Sequence, residues 1–341
     1  GKLRFTVDVY QKYIKDLLQK KVKMPTSIGY GNGYEVSYMN SGKMTNKGWE
    51  FRVDAVPFEN RDWRVGFYFN IAHNENKITE MPDNYTEENY TFNNGEYAYR
   101  REEGRPMGSF YGYRYKGVCQ NKDATYARDA DGNVMKDISG NAIVMRNGTA
   151  TIAPGDALYE DINHDGVINQ YDIVYLGNSN PRFTGGAGVN VSYKQFKLSA
   201  IFYGRYGQDV VNSTRLNNES MRGIDNQSTA VLRRWRNEGD QTDIPRALYG
   251  EGYNTLGSDR FVEDASYLRL KSLSFNYRLP KKIIQRWGFS NIDVYVTGYN
   301  LFTWTKYTGQ DPEVKTENTY ARDSATTPAS IQLVAGFNLS F

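Results

Sequence analysis

Alternation of apolar and polar residues constrains the fold of this 341-residue chain more than any single motif does. The segment IQLVAGFNLSF (331–341) carries an apolar side chain at every odd position. Because successive side chains of a strand point to opposite faces of a sheet, this period of two predicts a β-strand. Its length is also close to the 9–11 residues, roughly, with which a tilted strand crosses a bilayer.

Six further segments show the same alternation, and with 196–207 we predict eight long strands. They span 2–16, 43–57, 62–76, 182–194, 196–207, 263–279, 291–303 and 331–341. The polar positions include full charges, such as Arg4, Asp54 and Arg64, which indicates a face in contact with water. Alternation alone fits either a sandwich or a membrane barrel.

The connections between these segments alternate in length. Short ones lie near 58–61, 195 and 280–290, and long ones span 17–42, 77–181, 208–262 and 304–330. Short turns at one end and long loops at the other are typical of outer-membrane barrels, and compact soluble domains seldom carry several irregular connections this long. We therefore predict an all-β fold, a transmembrane antiparallel β-barrel whose long loops are extracellular.

Composition excludes several other classes of protein. Net charge is +3, from 42 basic and 39 acidic residues, which gives no reason to expect nucleic acid as a partner. No stretch approaches the roughly 18 consecutive apolar residues of a transmembrane helix. Cys119 is the one cysteine, so no internal disulfide can form. The first residues, GKLRFTVDVYQ, do not have the pattern of a signal peptide, and we expect the chain to be part of a longer protein.

Residues 161–172, DINHDGVINQYD, have nearly the ligand spacing of an EF-hand calcium loop, with Gly166 at the sharp turn. The predicted ligands are the side chains of Asp161, Asn163, Asp165, Asn169 and Asp172 and the carbonyl of Val167. Asp172 is shorter than the usual glutamate, so binding should be weak and suited to calcium outside a cell. A metal-free turn rich in Asp and Asn is the alternative. DADGNVMKD (129–137) is a fainter echo and is predicted to be a plain turn.

Catalysis has little support, so we predict no enzyme activity and no catalytic residue. The histidines are His73 and His164, and no Ser–His–Asp order, HExxH or CxxC is present. GGAG at 185–188 does not open a helix, so a dinucleotide loop is not expected. Aromatic residues near predicted strand ends are candidates for a girdle at the membrane interface. These are Tyr111, Tyr113, Tyr115, Tyr295, Tyr299, Trp304 and Tyr307.

Several blocks, in order, resemble a known family over nearly the whole chain. They are NSGKMTNKGWEFRV (40–53), NIAHNENKI (70–78), EGRPMGSFYGYRYKGV (103–118), 154–199, RRWRNEGDQTDIPRA (233–247), YLRLKSLSFNYRLPKK (267–282) and GYNLFTWTKYTGQDPEV (298–314). The block at 154–199 is the most specific. The chain resembles the C-terminal barrel portion of a SusC/RagA-type TonB-dependent outer-membrane transporter of Bacteroidota.

The resemblance implies that 1–341 is roughly the last third of a 22-stranded multi-pass barrel in the cell outer membrane, surrounded by outer-membrane lipid. The family's plug and N-terminal extension are not recognisable in this chain. The implied function is import of a large nutrient, an oligosaccharide or a peptide. The implied partners are a SusD-like surface lipoprotein and the TonB complex, the latter through the missing N-terminal part. One alternative is a structural or docking barrel subunit that has lost transport, and another is a secreted calcium-binding β-protein such as an adhesin.

Overall fold

A computed structural model describes residues 2–23, 27, 35–40, 42–81, 92–250, 252–314, 316–317 and 320–341. Its main feature is one antiparallel sheet of eight long strands, paired in chain order. The strands are β1 (Leu3–Lys15), β2 (Lys43–Glu59), β3 (Trp63–Glu80), β4 (Phe183–Tyr193), β5 (Phe196–Tyr206), β6 (Tyr267–Arg278), β7 (Asn291–Thr305) and β8 (Gln332–Ser340). The all-β class and the eight predicted strands are confirmed. Within the described ranges, β1 and β8 are edge strands and the sheet is open.

Two strand bounds differ from the prediction by four residues. β3 continues to Glu80, beyond the predicted end at 76, because it stays paired with β2 as far as Lys43. β6 begins at Tyr267 and not at 263, since Val262–Asp264 instead pairs with Asp209–Asn212. No glycine or proline lies between Val262 and Tyr267, so no such residue marks the change of sheets.

The sheet has one apolar face on which most of the large side chains are exposed. Cross-strand pairs place Val53 opposite both Phe5 and Phe69. We call this the outer face, and its large exposed side chains include Phe5, Phe69, Val189, Leu198, Phe275, Val296 and Phe337. Val189 and Val296, for example, are 40% and 42% exposed in the middle of their strands. A sheet in water would bury such residues, so this face is built to contact lipid.

The opposite face, called the inner face, is polar. A groove of about 890 Å³ on it is lined largely by hydrophilic side chains, among them Arg4, Arg52, Asp54, Arg64, Tyr68, Asn190 and Lys197. Charged residues on this face and apolar residues on the other follow from the same period of two. The predicted water-facing side is therefore the inner side of the wall.

Two rows of aromatic rings bound the outer face. Near the short turns, Trp63 contacts Tyr193 with ring centroids 4.3 Å apart, and Phe196 stacks on Tyr277 at 4.6 Å. Near the long loops, Phe183 lies 5.2 Å from His73 and 6.1 Å from Trp49. Strand β4 runs from one row to the other. At about 3.3 Å per residue and a tilt of about 40°, the rows stand about 25 Å apart, the height of the apolar band of an outer-membrane barrel.

The predicted girdle was mostly wrong. Tyr111 and Tyr113 are fully buried among the long loops, and Tyr307 is buried there as well. Tyr115 packs against the buried cluster that contains Tyr111 and Tyr113. Tyr295 and Tyr299 pair with inner-face positions of neighbouring strands. Trp304 does lie on the outer face. The error has one cause: tyrosine suits an interface, but parity and the tertiary fold decide which surface a ring meets.

The long connections at one end of the sheet form a separate body with its own core. We call it the loop body, meaning the described parts of 92–181, 207–265 and 306–323. One core cluster contains Tyr111, Tyr159, Ile168 and Leu256, and a second contains Phe110, Val211, Phe261 and Tyr320. No helix in the described ranges is long and apolar enough to span a membrane.

Short elements make up the connections and turns. Short strands are Leu18–Lys23, Glu35–Asn40, Ser109–Gly112, Tyr115–Val118, Arg146–Asn147, Ala150–Thr151, Ala157–Tyr159, Val167–Ile168, Val174–Asn178, Asp209–Asn212, Val262–Asp264, Thr316–Glu317 and Tyr320–Asp323. The α-helices are Ser213–Asn218 and Lys281–Ile284, and 3-10 turns span Asp123–Thr125, Gln170–Asp172, Thr229–Arg233, Asp259–Phe261 and Gln285–Trp287.

Arginine at two neighbouring positions of β4 should distinguish the faces. Val189 is on the outer face and Asn190 on the inner face. In the complete protein folded in lipid vesicles, Val189→Arg should lower the free energy of unfolding by about 2–4 kcal/mol, because the charge would lie near the bilayer midplane. Asn190→Arg, the matched control, should change it by about 0.5 kcal/mol or less. Denaturant titration gives both values, and equal costs would contradict the assignment of the faces.

Candidate functional site

The calcium-type loop is held in the loop body by its second half. Val167–Ile168 pairs in parallel with Arg146–Asn147, and Ile168 is fully buried in the first core cluster. Asn169 then caps the short 3-10 turn Gln170–Asp172, accepting the Tyr171 amide at 2.9 Å. The loop is flanked by the short strands Ala157–Tyr159 and Val174–Asn178, where an EF-hand loop would be flanked by two helices.

The first half of the loop turns around its own carboxylates. Asp161 accepts the Gly166 amide at 2.7 Å, and Asp165 accepts the Val167 amide at 2.8 Å. Asn163 donates to the second oxygen of Asp165 at 2.9 Å. Gly166 has a φ of +80°, a conformation that glycine adopts without strain, so it makes the sharp turn predicted from its position.

Asp172 closes the loop from inside. Its side chain is fully buried and accepts the amides of Ile162 and Asn169, each at 2.8 Å. Burial raises the pKa of Asp172, the two amides oppose that rise, and the charges of Asp161 and Asp165 add to it. The charges of Asp161 and Asp165 thus repel that of Asp172, a cost that a cation would relieve.

The structure brings the predicted ligand residues onto one turn but does not test metal binding. The described residues contain no group of three or more acidic, histidine or cysteine side chains arranged to hold a metal ion. The Val167 carbonyl accepts the Asn169 side-chain amide at 3.0 Å. These internal bonds are also what a metal-free turn would make, so the calcium site at Asp161, Asn163, Asp165, Val167, Asn169 and Asp172 stays a prediction.

The fainter echo at 129–137 forms a turn, and the following residues repeat it. Asp129 accepts the amides of Asp131 and Asn133, and eight residues on Asp137 accepts those of Ser139 and Asn141 in the same way. The backbone segments that flank these turns form a ring. The amide of Ala127 donates to the carbonyl of Ile143, that of Ile143 to Met135, and that of Met135 to Ala127, each at 2.9 Å. We call it the three-segment ring.

Buried ion pairs hold the loop body together. Arg260 donates to Glu219 at 2.8 Å, and both side chains are at least nine-tenths buried. Arg246 binds Asp156 through two hydrogen bonds, of 2.7 and 3.1 Å. Nearby Cys119 is buried, which raises the pKa of its thiol to about 11, so the thiol is protonated at neutral pH. Pairs of this kind fix the relative positions of segments far apart in sequence.

A buried arginine fastens one long loop to the sheet. Arg269 of β6 is paired on the inner face with Thr303, and its side chain is 3% exposed. It donates to Glu313 at 2.9 Å and also to Asp311, while Lys271 donates to Glu313 at 2.8 Å. We call Arg269, Asp311 and Glu313 the loop clasp. The acidic residues of the clasp belong to the segment GQDPEV (309–314). They are too far from Arg269 in the sequence for this contact to be predicted from the sequence alone.

Backbone hydrogen bonds support the clasp from the loop side. Asp311 accepts the amides of Glu313 and Ala329, each at 2.9 Å. Burial tends to raise the pKa of Asp311, but these amides and the Arg269 guanidinium outweigh it and lower the pKa overall. The carboxylate is therefore charged at neutral pH, as the ion pair requires.

Removing the clasp arginine should loosen this loop. Arg269→Met leaves Asp311 and Glu313 without their buried partner, which we expect to cost about 3–5 kcal/mol. Lys271→Met is the control, since it removes a half-exposed pair worth at most about 1 kcal/mol. Hydrogen exchange of peptides covering 306–314, in the complete protein, should accelerate strongly in the first variant only. Equal protection in both variants would contradict this role.

No family model matches the chain. The TonB-dependent receptor P3 of Formosa agariphila is 31% identical over 328 residues, which cover 93% of this chain and 29% of that protein. The TonB-dependent receptor SusC of Bacteroides thetaiotaomicron is 25% identical over 351 residues, covering 100% of this chain and 30% of that protein. The chain thus spans about three tenths of the curated relatives that it matches.

Solved structures agree over the whole chain. The RagAB peptide transporter superposes with a TM-score of 0.70 and 27% identity, covering 100% of this chain and 34% of that one. The RagAB peptide importer in its open-open state gives 0.69 and 25%, covering 100% and 33%. Such likeness, together with a lipid-facing outer face, places the sheet in an outer-membrane barrel. The chain belongs to the SusC/RagA type of TonB-dependent outer-membrane transporters.

Proposed function

We propose that the complete protein imports a large nutrient, a peptide or an oligosaccharide, across the outer membrane. The observation that carries this proposal is the amphipathic wall. Its outer face is apolar between two aromatic rows, and its inner face carries charged and hydrogen-bonding groups around a groove of about 890 Å³. A polar inner face is stable in a membrane protein only where it meets water, other protein or cargo, which is the setting of a transport path.

A SusD-like surface lipoprotein is the partner we propose for the loop body. Relatives carry the names SusC and RagAB, which supports a partnered transporter. Large apolar side chains are exposed on the long connections, among them Ile224 at 91% and Tyr249 at 76%. Exposed apolar groups on a body with a well-formed core suit a protein interface. The force for transport would come from TonB through a part of the protein outside this chain.

The cargo class is proposed on the same basis. Peptides are transported by RagAB, and SusC is a relative at lower identity, so both peptides and oligosaccharides are candidates here. The inner face offers guanidinium groups and Lys197 beside Tyr68 and Asn190, which can bind carboxylates, carbonyls and hydroxyls. None of these groups forms a nucleophile–base pair, so we propose that the cargo passes without chemical change.

Uptake separates this proposal from the docking alternative. A strain lacking the complete gene should lose growth on one defined class of peptide or oligosaccharide supplied as the limiting nutrient. Loss of TonB should abolish the same growth, and a restored gene should recover it. If the deletion leaves uptake intact on every cargo tested but removes a surface lipoprotein from its complex, transport is ruled out and the docking role replaces it.

We also propose that the loop at 161–172 holds a structural Ca²⁺. Support comes from the spacing of its oxygen groups, from the turn at Gly166 and from the repulsion of Asp172 by Asp161 and Asp165. The ion would stiffen the loop beside the core residue Ile168, in a connection that we propose to be extracellular. It would act as a staple and would take no part in chemistry.

A single charge change should test the calcium proposal. In the complete protein, millimolar Ca²⁺ should slow hydrogen exchange of peptides covering 161–172, and a chelator should reverse the effect. Asp161→Asn keeps an oxygen for the Gly166 amide but removes a charge. We therefore expect the variant to need about tenfold or more Ca²⁺ for the same protection. Asp137→Asn, in the neighbouring turn, should leave the calcium response unchanged. No response to calcium in the unaltered protein would refute the site.

A further inference from the structure

We propose that a groove on the outer face, beside the loop body, is a binding site for a phosphorylated glycolipid of the outer leaflet. We call it the outer groove. It has a volume of about 680 Å³, which is within the usual range of small-molecule sites, roughly 300–1,000 Å³. The inference concerns the lipid side of the wall and does not depend on whether the protein transports cargo.

The floor of the groove is a gap in the outer face. Gly185 of β4 lies directly opposite Gly204 of β5, so two adjacent outer-face positions carry no side chain. The next outer position towards the membrane centre on β4 is Ala187, which is also small. Across five strands the row reads Ile71, Gly185, Gly204, Leu268 and Trp304. With strands about 4.8 Å apart, the gap between Ile71 and Leu268 is about 14 Å wide.

Large side chains form the walls. Phe69 and Phe183 stand on one side. On the other side Trp304 stacks on Phe202 and Phe302, with ring centroids 6.5 and 6.2 Å apart. These rings hold the groove open, because a side chain that packs against its neighbour cannot fold over the gap. Backbone crowding is a further reason for glycine: a Cβ on Gly204 would lie 2.7 Å from the Tyr267 carbonyl oxygen.

The groove ends in charged groups at the edge of the loop body. Lys306 directly follows the end of β7 at Thr305, lines the groove, is exposed, and forms no ion pair within the part of the chain that the structure describes. Asp264 also lines this end and accepts the Ser266 amide at 2.8 Å. The site thus has an apolar body, with an ammonium group and a carboxylate at the end beside the loop body.

An apolar body with both charges at one end fits a glycolipid. Between the two aromatic rows only lipid is available to fill an apolar groove, so an acyl chain would occupy the body. The ammonium of Lys306 would bind a phosphate, and the carboxylate of Asp264 would accept hydrogen bonds from the hydroxyl groups of a sugar. The groove opens at the long-loop end, which in an outer-membrane barrel faces the outside. The leaflet there is built of phosphorylated glycolipid, so we commit to that occupant over a phospholipid.

Retention of lipid by the complete protein tests the site. The protein is purified in mild detergent, given lipid A or phosphatidylethanolamine in separate arms, and analysed by native mass spectrometry. Two variants attack the site: Ala187→Phe fills the groove, and Lys306→Gln removes its charge. Their matched controls are Ala200→Phe, also on the outer face but outside the groove, and Lys282→Gln, an exposed lysine near a short turn. Thermal unfolding of each variant verifies that it is folded.

We expect the unaltered protein and both controls to retain lipid A, and both site variants to need about tenfold more lipid for the same occupancy. Loss of retention in all four variants, or in none, would overturn the site. Preferential retention of phosphatidylethanolamine would overturn the glycolipid assignment. If Ala187→Phe weakens retention and Lys306→Gln does not, the role of the phosphate contact is overturned.

Discussion

The structure depends on one constraint, which is that a membrane offers no water to a backbone amide or carbonyl. Every such group in the membrane-spanning part must find its partner within the protein, and paired antiparallel strands provide that. The eight strands pair in chain order, so the wall is built from short-range connections at one end and long ones at the other. Alternation of side chains then separates a lipid face from a wetted face without further rules.

Most of the wall was predictable from the sequence, because a period of two is a local pattern. The segments that became β1–β8, and the parity that sends Arg64 and Val65 to opposite faces, can be read from neighbours in the chain. The loop body was not predictable in this way. Tyr111 and Tyr113 look like interface residues in isolation, and only contacts with Tyr159 and Leu256 reveal that they form a core.

The candidate sites differ in the same way, because one is a local sequence pattern and the others join distant residues. The calcium-type loop was found from spacing, since its oxygen groups lie within twelve consecutive residues and its turn needs one glycine. The loop clasp joins residues more than forty positions apart, Arg269 to Asp311 and Glu313, and the outer groove joins five strands. A spacing rule cannot find a site whose parts meet only after the sheet has formed. The affinity of the calcium-type loop for an ion also depends on the tertiary fold, because burial of Asp172 sets how strongly its charge is felt.

The three-segment ring has a consequence for how this loop can change over time. Stacked repeats usually grow or shrink by whole units, because each unit contacts only its neighbours and the ends stay open. Here Ala127, Met135 and Ile143 satisfy one another in a closed cycle, so a fourth eight-residue unit would have no free amide or carbonyl to join. Variation is confined to the turn tips, such as Ile138, whose side chain is fully exposed. The segment around the three-segment ring can therefore change its surface chemistry while its length stays fixed.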